Sequence, residues 1–290
     1  PMRAMLAGMS DPDSFNPSLR PPAAEPGRPR EPALPTIDVR EKGATVDGVP
    51  QTMDRRLFMQ LLVFHAREGA LIGDLTRLLS TALAECGVGA VVYEDVNDPR
   101  GLAVLSYSED PTQFVTHVRP ALGRDSLSAL VLRPEFTMLG RTYSSGYEQD
   151  LGHWILDRPR HTVQHAGWDW AVWYPLRRSG AFELLPGREK GEILREHATI
   201  GRAYGGQDLA HDVRLACHGL DTNDNEFVIG LVGKTLHPLS HVVQTMRGTK
   251  QTSSYISQMG PFFVGHVVAR HPLPGDLAPE APEAHKATEG

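Results

Sequence analysis

Ile193, His197, Ile200 and Tyr204 fall at i, i+4, i+7 and i+11 of the segment 186–204. A helix there places them on one apolar face, opposite Arg188, Glu192, Arg195, Glu196 and Arg202. An imidazole aimed at a core is either a histidine with satisfied nitrogens or a ligand. A few residues on, Asp212, Arg214 and Ala216 alternate with Val213, Leu215 and Cys217. A strand would therefore show a carboxylate and a guanidinium on one face. Such an arginine either holds an anionic ligand electrostatically or is an edge-strand charge facing water. His153, His161 and His165 cluster in a less regular segment and read mostly as surface groups. Cys86 and Cys217 read as small buried hydrophobes, with no disulfide framework and no zinc-type spacing, so no separate metal site is expected. Gly205-Gly206 fits a helix stop and not a phosphate loop.

The elements that position these residues come in a repeated order. Arg56–Phe64 predicts a strand, and Ile72, Leu75, Leu78, Leu79, Ala82 and Leu83 predict a helix closed by Gly87. Strands are expected at Ala90–Glu94 and Leu102–Tyr107. A helix is expected from Asp110-Pro111 through Phe114, Val115 and Val118. Residues 123–165 hold one more strand and a helix near 147–157. The second pass predicts a strand at Trp168–Leu176, a helix at Gly187–Tyr204, strands at Asp212–His218 and Glu226–Val232, a helix marked by Leu236–Met246, and a strand at Phe262–Val268. The order is β-α-β-β-α-β, twice. That predicts an α+β protein of two tandem ferredoxin-like units with antiparallel sheets.

Ten of the 23 prolines lie in residues 1–50 and four follow Arg270. The expected layout is a Pro-rich arm over 1–53, of which 37–43 could lie against the body. One unit follows over 54–165, a second over 166–270, and a disordered tail over 271–290. A net charge of −6 and pI near 6.1 give no footprint for nucleic acid or anionic membrane. No apolar run approaches a spanning helix, residues 1–9 lack the apolar stretch of a secretory signal, and two cysteines suit a reducing compartment. A cytoplasmic protein is the expectation.

Several segments resemble the chlorite dismutase superfamily, which includes coproheme decarboxylases. They are Trp173-Tyr-Pro-Leu-Arg-Arg178, Leu184-Leu-Pro-Gly-Arg-Glu189, Glu196-His197-x-x-x-Gly201-Arg202-x-Tyr204, Gly219-Leu-Asp221, Asp224-Asn-Glu-Phe227, Met246-Arg247 and Gly260-Pro-Phe-Phe-Val-Gly265. The resemblance is dense over 168–268 and looser over 54–160. It implies a second unit that binds heme b or iron coproporphyrin III, with His197 as the axial iron ligand, usually in a homopentamer. It implies Tyr174 as the redox-active tyrosine near a propionate, where an ordinary strand tyrosine is the alternative. Tyr143, Arg178, Arg247 and Thr252 match or lie near propionate contacts. Arginine suits carboxylates through its fork, although Arg247 could instead be a solvated cation at a helix end. Arg214 takes the place of the distal arginine of chlorite dismutases. Two departures count against efficient chlorite chemistry: Tyr174 itself, and Lys250 near the place of the glutamate that anchors the ligand histidine.

The resemblance thus implies a heme-dependent oxidoreductase, first a peroxide-dependent coproheme decarboxylase. The alternatives are a chlorite dismutase or weak heme peroxidase acting through Arg214, and a non-catalytic heme-binding or heme-transfer protein.

Overall fold

The computed structural model describes residues 34–277. Most of the expected Pro-rich arm and of the expected tail lies outside the described residues. Glu41–Val46 (β1) and Val49–Met53 (β2) form a hairpin. Asp47 and Gly48 turn it with φ of 50° and 80°, the pair of positive values that an Asp-Gly turn supplies. The sequence reading assigned these residues to the arm and missed that signal. The Glu41 carboxylate fastens the hairpin, 3.1 Å from Arg141 and accepting the Ser144 amide at 3.0 Å.

The body continues with Phe58–Ala66 (β3), Ile72–Cys86 (α1), Gly89–Asp95 (β4) and Gly101–Ser108 (β5). Gly87 closes α1 with φ 69°, as its position suggested. A wide-turn stretch, Phe114–Val118, runs into Arg119–Leu122 (α2). Short strands Leu130–Leu132 (β6) and Met138–Arg141 (β7) follow, then Arg158–Gln164 (α3). The second half comprises Trp170–Arg178 (β8), Gly180–Glu183 (α4), Gly187–Gly206 (α5), His211–Ala216 (β9), Phe227–Gly233 (β10), Leu236–Arg247 (α6), Lys250–Tyr255 (α7), Ile256–Met259 (β11) and Phe263–His271 (β12). Sequence reasoning missed β6, α4, α7 and β11, which are too short to show a period.

All strand pairs are antiparallel, and the sheet closes on itself. The first half pairs in the order β7-β3-β5-β4 and the second in the order β12-β8-β10-β9. β4 joins β12 and β7 joins β9, completing a ring. Alternation along each strand then gives the barrel an inside and an outside. Met59, Leu61, Tyr93, Leu105, Tyr107, Trp173, Val213, Val228 and Phe263 fill the inside and are all but sealed from water. Trp173 lies over Gly230, where an added Cβ would come within 2.4 Å of its indole. Only glycine fits that strand position without displacing the ring.

Two clusters cover the outside. On the first half, Leu75, Leu79, Ala82 and Leu83 of α1 pack on Phe64, Val92, Leu102 and Val104. On the second, α5 and α6 lie over Val172, Tyr174, Ile229 and Leu231. The chain beyond β12 returns inward. Asp276 is buried and accepts from the Tyr107 hydroxyl at 2.6 Å and from the Leu273 amide at 2.7 Å. Residues 271–277 therefore belong to the body, contrary to their placement in the tail; a buried hydrogen-bonded carboxylate anchors them. No helix among the described residues is long and apolar enough to cross a membrane.

Candidate functional site

The α5 helix starts after Pro186, whose extended backbone admits the turn, and carries Glu189 in its first turn. It ends at Gly206, where the Gly205-Gly206 pair places its stop. Both glycines are helical, and the reversal falls at Asp208, with φ 55°; aspartate tolerates that conformation. Ile193 is buried, while His197, Ile200 and Tyr204 are half-buried on the same stripe. Beyond Ile193 the helix does not press fully onto the sheet.

His197 is held as a neutral imidazole. Burial lowers its pKa and the Arg214 charge lowers it further, against smaller opposing effects of Asp212 and Glu196. Its Nδ1 is buried and has no hydrogen-bond partner. A buried nitrogen left unpaired costs about 1–3 kcal/mol, and binding a Lewis acid would remove that cost. Glu196, next to it, accepts the Lys250 backbone amide at 3.1 Å, and the Lys250 ammonium pairs with Glu189 at 2.8 Å. Lys250 does sit beside the His197 helix, but its charge is spent on Glu189.

On the sheet below, register lines up the other candidates. Ile229 of β10 pairs with Arg214 on one side and with Tyr174 on the other. Phe262 stacks on Tyr174 with ring centroids 4.6 Å apart. Tyr143 lies two residues beyond the Arg141–Ala216 pairing, level with Arg214, and the Arg214 charge acts on its hydroxyl. Tyr143, Arg214, Ile229, Tyr174 and Phe262 thus form one row across the outer face. Burial pushes the Tyr174 phenol well above the usual tyrosine range, Asp212 adds to this, and Arg247 opposes it. The phenol keeps its proton at neutral pH.

The structure adds a partner for Arg214. Its Nε lies 3.0 Å from Asp212, which also meets the Arg158 guanidinium at 2.7 Å. Arg158 further donates to the Asp212 carbonyl at 2.9 Å and lies over Trp154. Desolvation works to raise the Asp212 pKa, but the two arginines outweigh it and hold the carboxylate below its ordinary range. The α3 arginine in this clamp carries no pattern in the sequence. Asp212 was visible only as a neighbour on the Arg214 face. A cavity of about 20 Å³ opens beside the clamp, lined by Tyr143, Trp154, Arg158 and Arg214, with room for one water.

The remaining expected contacts separate. Arg247, at the end of α6, is exposed, has no hydrogen bond or ion pair among the described residues, and reaches Tyr174 electrostatically. Arg178 is already committed. Its Nη2 lies 2.7 Å from Glu226, and its guanidinium stacks over Phe182 and Phe227 at 4.5 and 4.7 Å. Thr252 sits in the first turn of α7, its amide donating to the Thr249 cap at 3.3 Å; no contact ties it to the Tyr174 row. His165 and His211 stack on the two faces of Trp168, at 3.8 and 3.5 Å, so His165 belongs to that stack. The residues present fit an iron porphyrin in two ways: a neutral imidazole with an orphan buried nitrogen, and an unpaired arginine beside a buried tyrosine for carboxylate groups.

Sequence reasoning set aside a separate metal site on the ground that no His-x-x-x-His pair occurs, but His237-Pro-Leu-Ser-His241 is one, and so is His161-Thr-Val-Gln-His165. The i, i+4 spacing was the available signal, and α6 presents both imidazoles of the first.

A family model described as chlorite dismutase matches residues 70–268. No curated protein matches the chain. Among solved structures, a heme-binding protein from Thermus thermophilus is 18% identical, with a TM-score of 0.60 over 74% of this chain and 92% of that one. The chlorite dismutase of Candidatus Nitrospira defluvii in complex with imidazole is 11% identical, with a TM-score of 0.59 over 75% of this chain and 93% of that one. At such identities the likeness is one of fold.

Proposed function

This chain belongs to the chlorite dismutase family, and from that premise we propose that it is a heme-dependent oxidoreductase of the coproheme decarboxylase type. It would hold iron coproporphyrin III or heme b between α5 and the outer face of β8, β10 and β9. We read its halves, 54–165 and 166–270, as two ferredoxin-like units; each pairs its four strands in the order fourth-first-third-second. A cytoplasmic homopentamer goes with that reading by resemblance.

His197 would be the axial ligand, because it is the neutral imidazole with an unpartnered buried nitrogen on the helix facing the row. The bound iron porphyrin would supply the redox chemistry with peroxide, and the reaction would release propionate carboxyl groups as CO2. Arg247, with no partner of its own, would orient a propionate beside Tyr174. Tyr174 would present a neutral phenol, able to give up an electron and its hydroxyl proton together. Its burial and the stacked Phe262 keep water off the ring. The observation that carries the decarboxylase reading is the buried Tyr174 in the same cross-strand row as Arg214.

A second reading, chlorite dismutation or weak peroxidase activity, is favoured by Arg214, whose charge acts on His197. Against it, Asp212 already holds that guanidinium at 3.0 Å. The test is anaerobic loading with iron coproporphyrin, peroxide titration and mass analysis of the porphyrin. Tyr174→Phe should bind porphyrin normally and lose nearly all CO2 loss. Full product from that variant would defeat the tyrosine assignment, and oxygen release from chlorite that Arg214→Ala abolishes would establish the second reading. Saturating binding with no turnover of either kind would mark a heme-binding or heme-transfer protein.

A further inference from the structure

A pair of imidazoles lies on the exposed face of α6, and a chain of hydroxyl groups bears on its chemistry. His237 and His241 are one helical turn apart and exposed, with ring centroids 5.9 Å apart. His237 has no hydrogen bond among the described residues. His241 Nδ1 contacts the Tyr204 hydroxyl, which also lies 2.9 Å from Thr245 Oγ1. Thr245 Oγ1 in turn donates to the His241 carbonyl at 2.9 Å.

Two proton orders are open to these contacts, and the bond from Thr245 to the His241 carbonyl sets one of them. The Thr245 proton is spent on a carbonyl, which can only accept. Toward Tyr204 the threonine oxygen must then accept, so the Tyr204 proton goes to Thr245. The Tyr204 oxygen is left as an acceptor, and His241 must supply the proton from Nδ1. A neutral imidazole protonated at Nδ1 carries its lone pair on Nε2. In that order Tyr204 holds His241 in the tautomer that leaves its outer nitrogen free to bind. This is the outer-sphere orientation that metal-ligating histidines receive from a hydrogen bond on their other nitrogen.

We propose that His237 and His241 form a two-imidazole chelate for a divalent transition-metal ion, with Tyr204 as its positioning residue. Two imidazoles on one ion at metal–nitrogen distances of about 2.0–2.1 Å place their ring centroids about 5 Å apart at a tetrahedral angle. The observed 5.9 Å exceeds that by about 1 Å, a difference for rotation of the exposed His237 ring to take up while Tyr204 holds His241. No group of three or more His, Cys, Asp or Glu suited to a metal occurs among the described residues, so water completes the coordination. Imidazole ligands of this kind favour Cu²⁺ over Ni²⁺ and Zn²⁺. Tyr204 sits two turns from His197 on α5, so the ion would be tied to the helix that carries the candidate iron ligand. The chelate does not depend on the porphyrin reading.

The experiment is a Cu²⁺ titration of the full chain, without affinity tag or porphyrin, followed by calorimetry and by electron paramagnetic resonance. One equivalent should bind tightest, with hyperfine structure from two imidazole nitrogens. His237→Ala and His241→Ala should each weaken that equivalent by at least about tenfold and remove one nitrogen from the spectrum. Tyr204→Phe should weaken it by about tenfold and keep both nitrogens. Tight binding unchanged in either histidine variant, or a single-nitrogen spectrum in the parent, overturns the chelate. An unchanged affinity in Tyr204→Phe overturns the positioning role.

Discussion

The two halves pair their strands in the same order and each lays helices on its outer face, yet they spend those helices differently. The α1 helix turns four apolar residues fully into its sheet over 15 residues, whereas the longer α5 buries only Ile193. The strands beneath differ in the same sense. Under α1, β4 offers Ala90 and Val92, both sealed. Near α5, the corresponding strand β9 offers Asp212 and Arg214. A packed apolar helix stabilises its half by burial, at roughly 1.5–3 kcal/mol for each fully buried Leu. A helix with a histidine in its stripe, over a strand with a paired arginine, gives up part of that burial. It keeps polar groups within reach of a ligand. In the proposed function one half serves as the scaffold and the other carries the chemistry.

The largest test of that contrast is stability. Leu79→Ala in α1 should cost about 2–5 kcal/mol in denaturant unfolding, from lost transfer energy plus the cavity. Ile200→Ala in α5, half-buried, should cost less than about 1.5 kcal/mol. Equal costs would break the comparison. Binding should answer in the opposite sense. His197→Ala should weaken iron-porphyrin binding by at least about 100-fold, close to 2.7 kcal/mol, and change the Soret spectrum, while Leu79→Ala should leave the spectrum alone. Unchanged spectra in His197→Ala would remove the site from α5.

The smallest effect concerns Asp212. Its pKa is depressed in the folded state by Arg214 and Arg158 against desolvation. Its contribution is therefore fully present above the unfolded value near 3.9 and is lost as pH falls through the folded value. Asp212→Asn should flatten the acid limb of the stability curve below about pH 4. The change should be about 1 kcal/mol or less, because the carboxylate is 33% exposed. An acid limb identical to the parent's would mean that the clamp adds nothing to stability.

How far all this could be read from the sequence depends on the length of the pattern. Long periodic runs such as Leu75–Leu83 and Phe58–Ala66 were legible because burial writes itself into spacing. The His197 stripe was legible for the same reason, and Arg214 because strand alternation gave it a face. The short helices were not, since α4 and α7 rest on single caps, Ser179 and Thr249. The Asp47-Gly48 turn was present to be read and was read as part of an arm. Contacts between distant segments left no local trace. The Arg158–Asp212 clamp joins residues 54 apart, and the Glu226 that occupies Arg178 is 48 residues away. Carrying Arg178 over as a propionate contact relied on its place in the motif and its residue type, with no view of that partner.

The ring of strands has two unequal joins. β4 and β12 meet over six paired residues, whereas β7 and β9 meet at one, Arg141 with Ala216. The first behaves as a spine and the second as a clasp. Opening the clasp would break few backbone hydrogen bonds and leave the strand order within each half intact, so it belongs to the low-energy end of the molecule's local openings. Tyr143 sits on one side of it and Arg214 on the other. Arg158, reaching from α3 to Asp212, ties it from outside. The cavity beside Arg214 thus lies where the barrel is least firmly sewn.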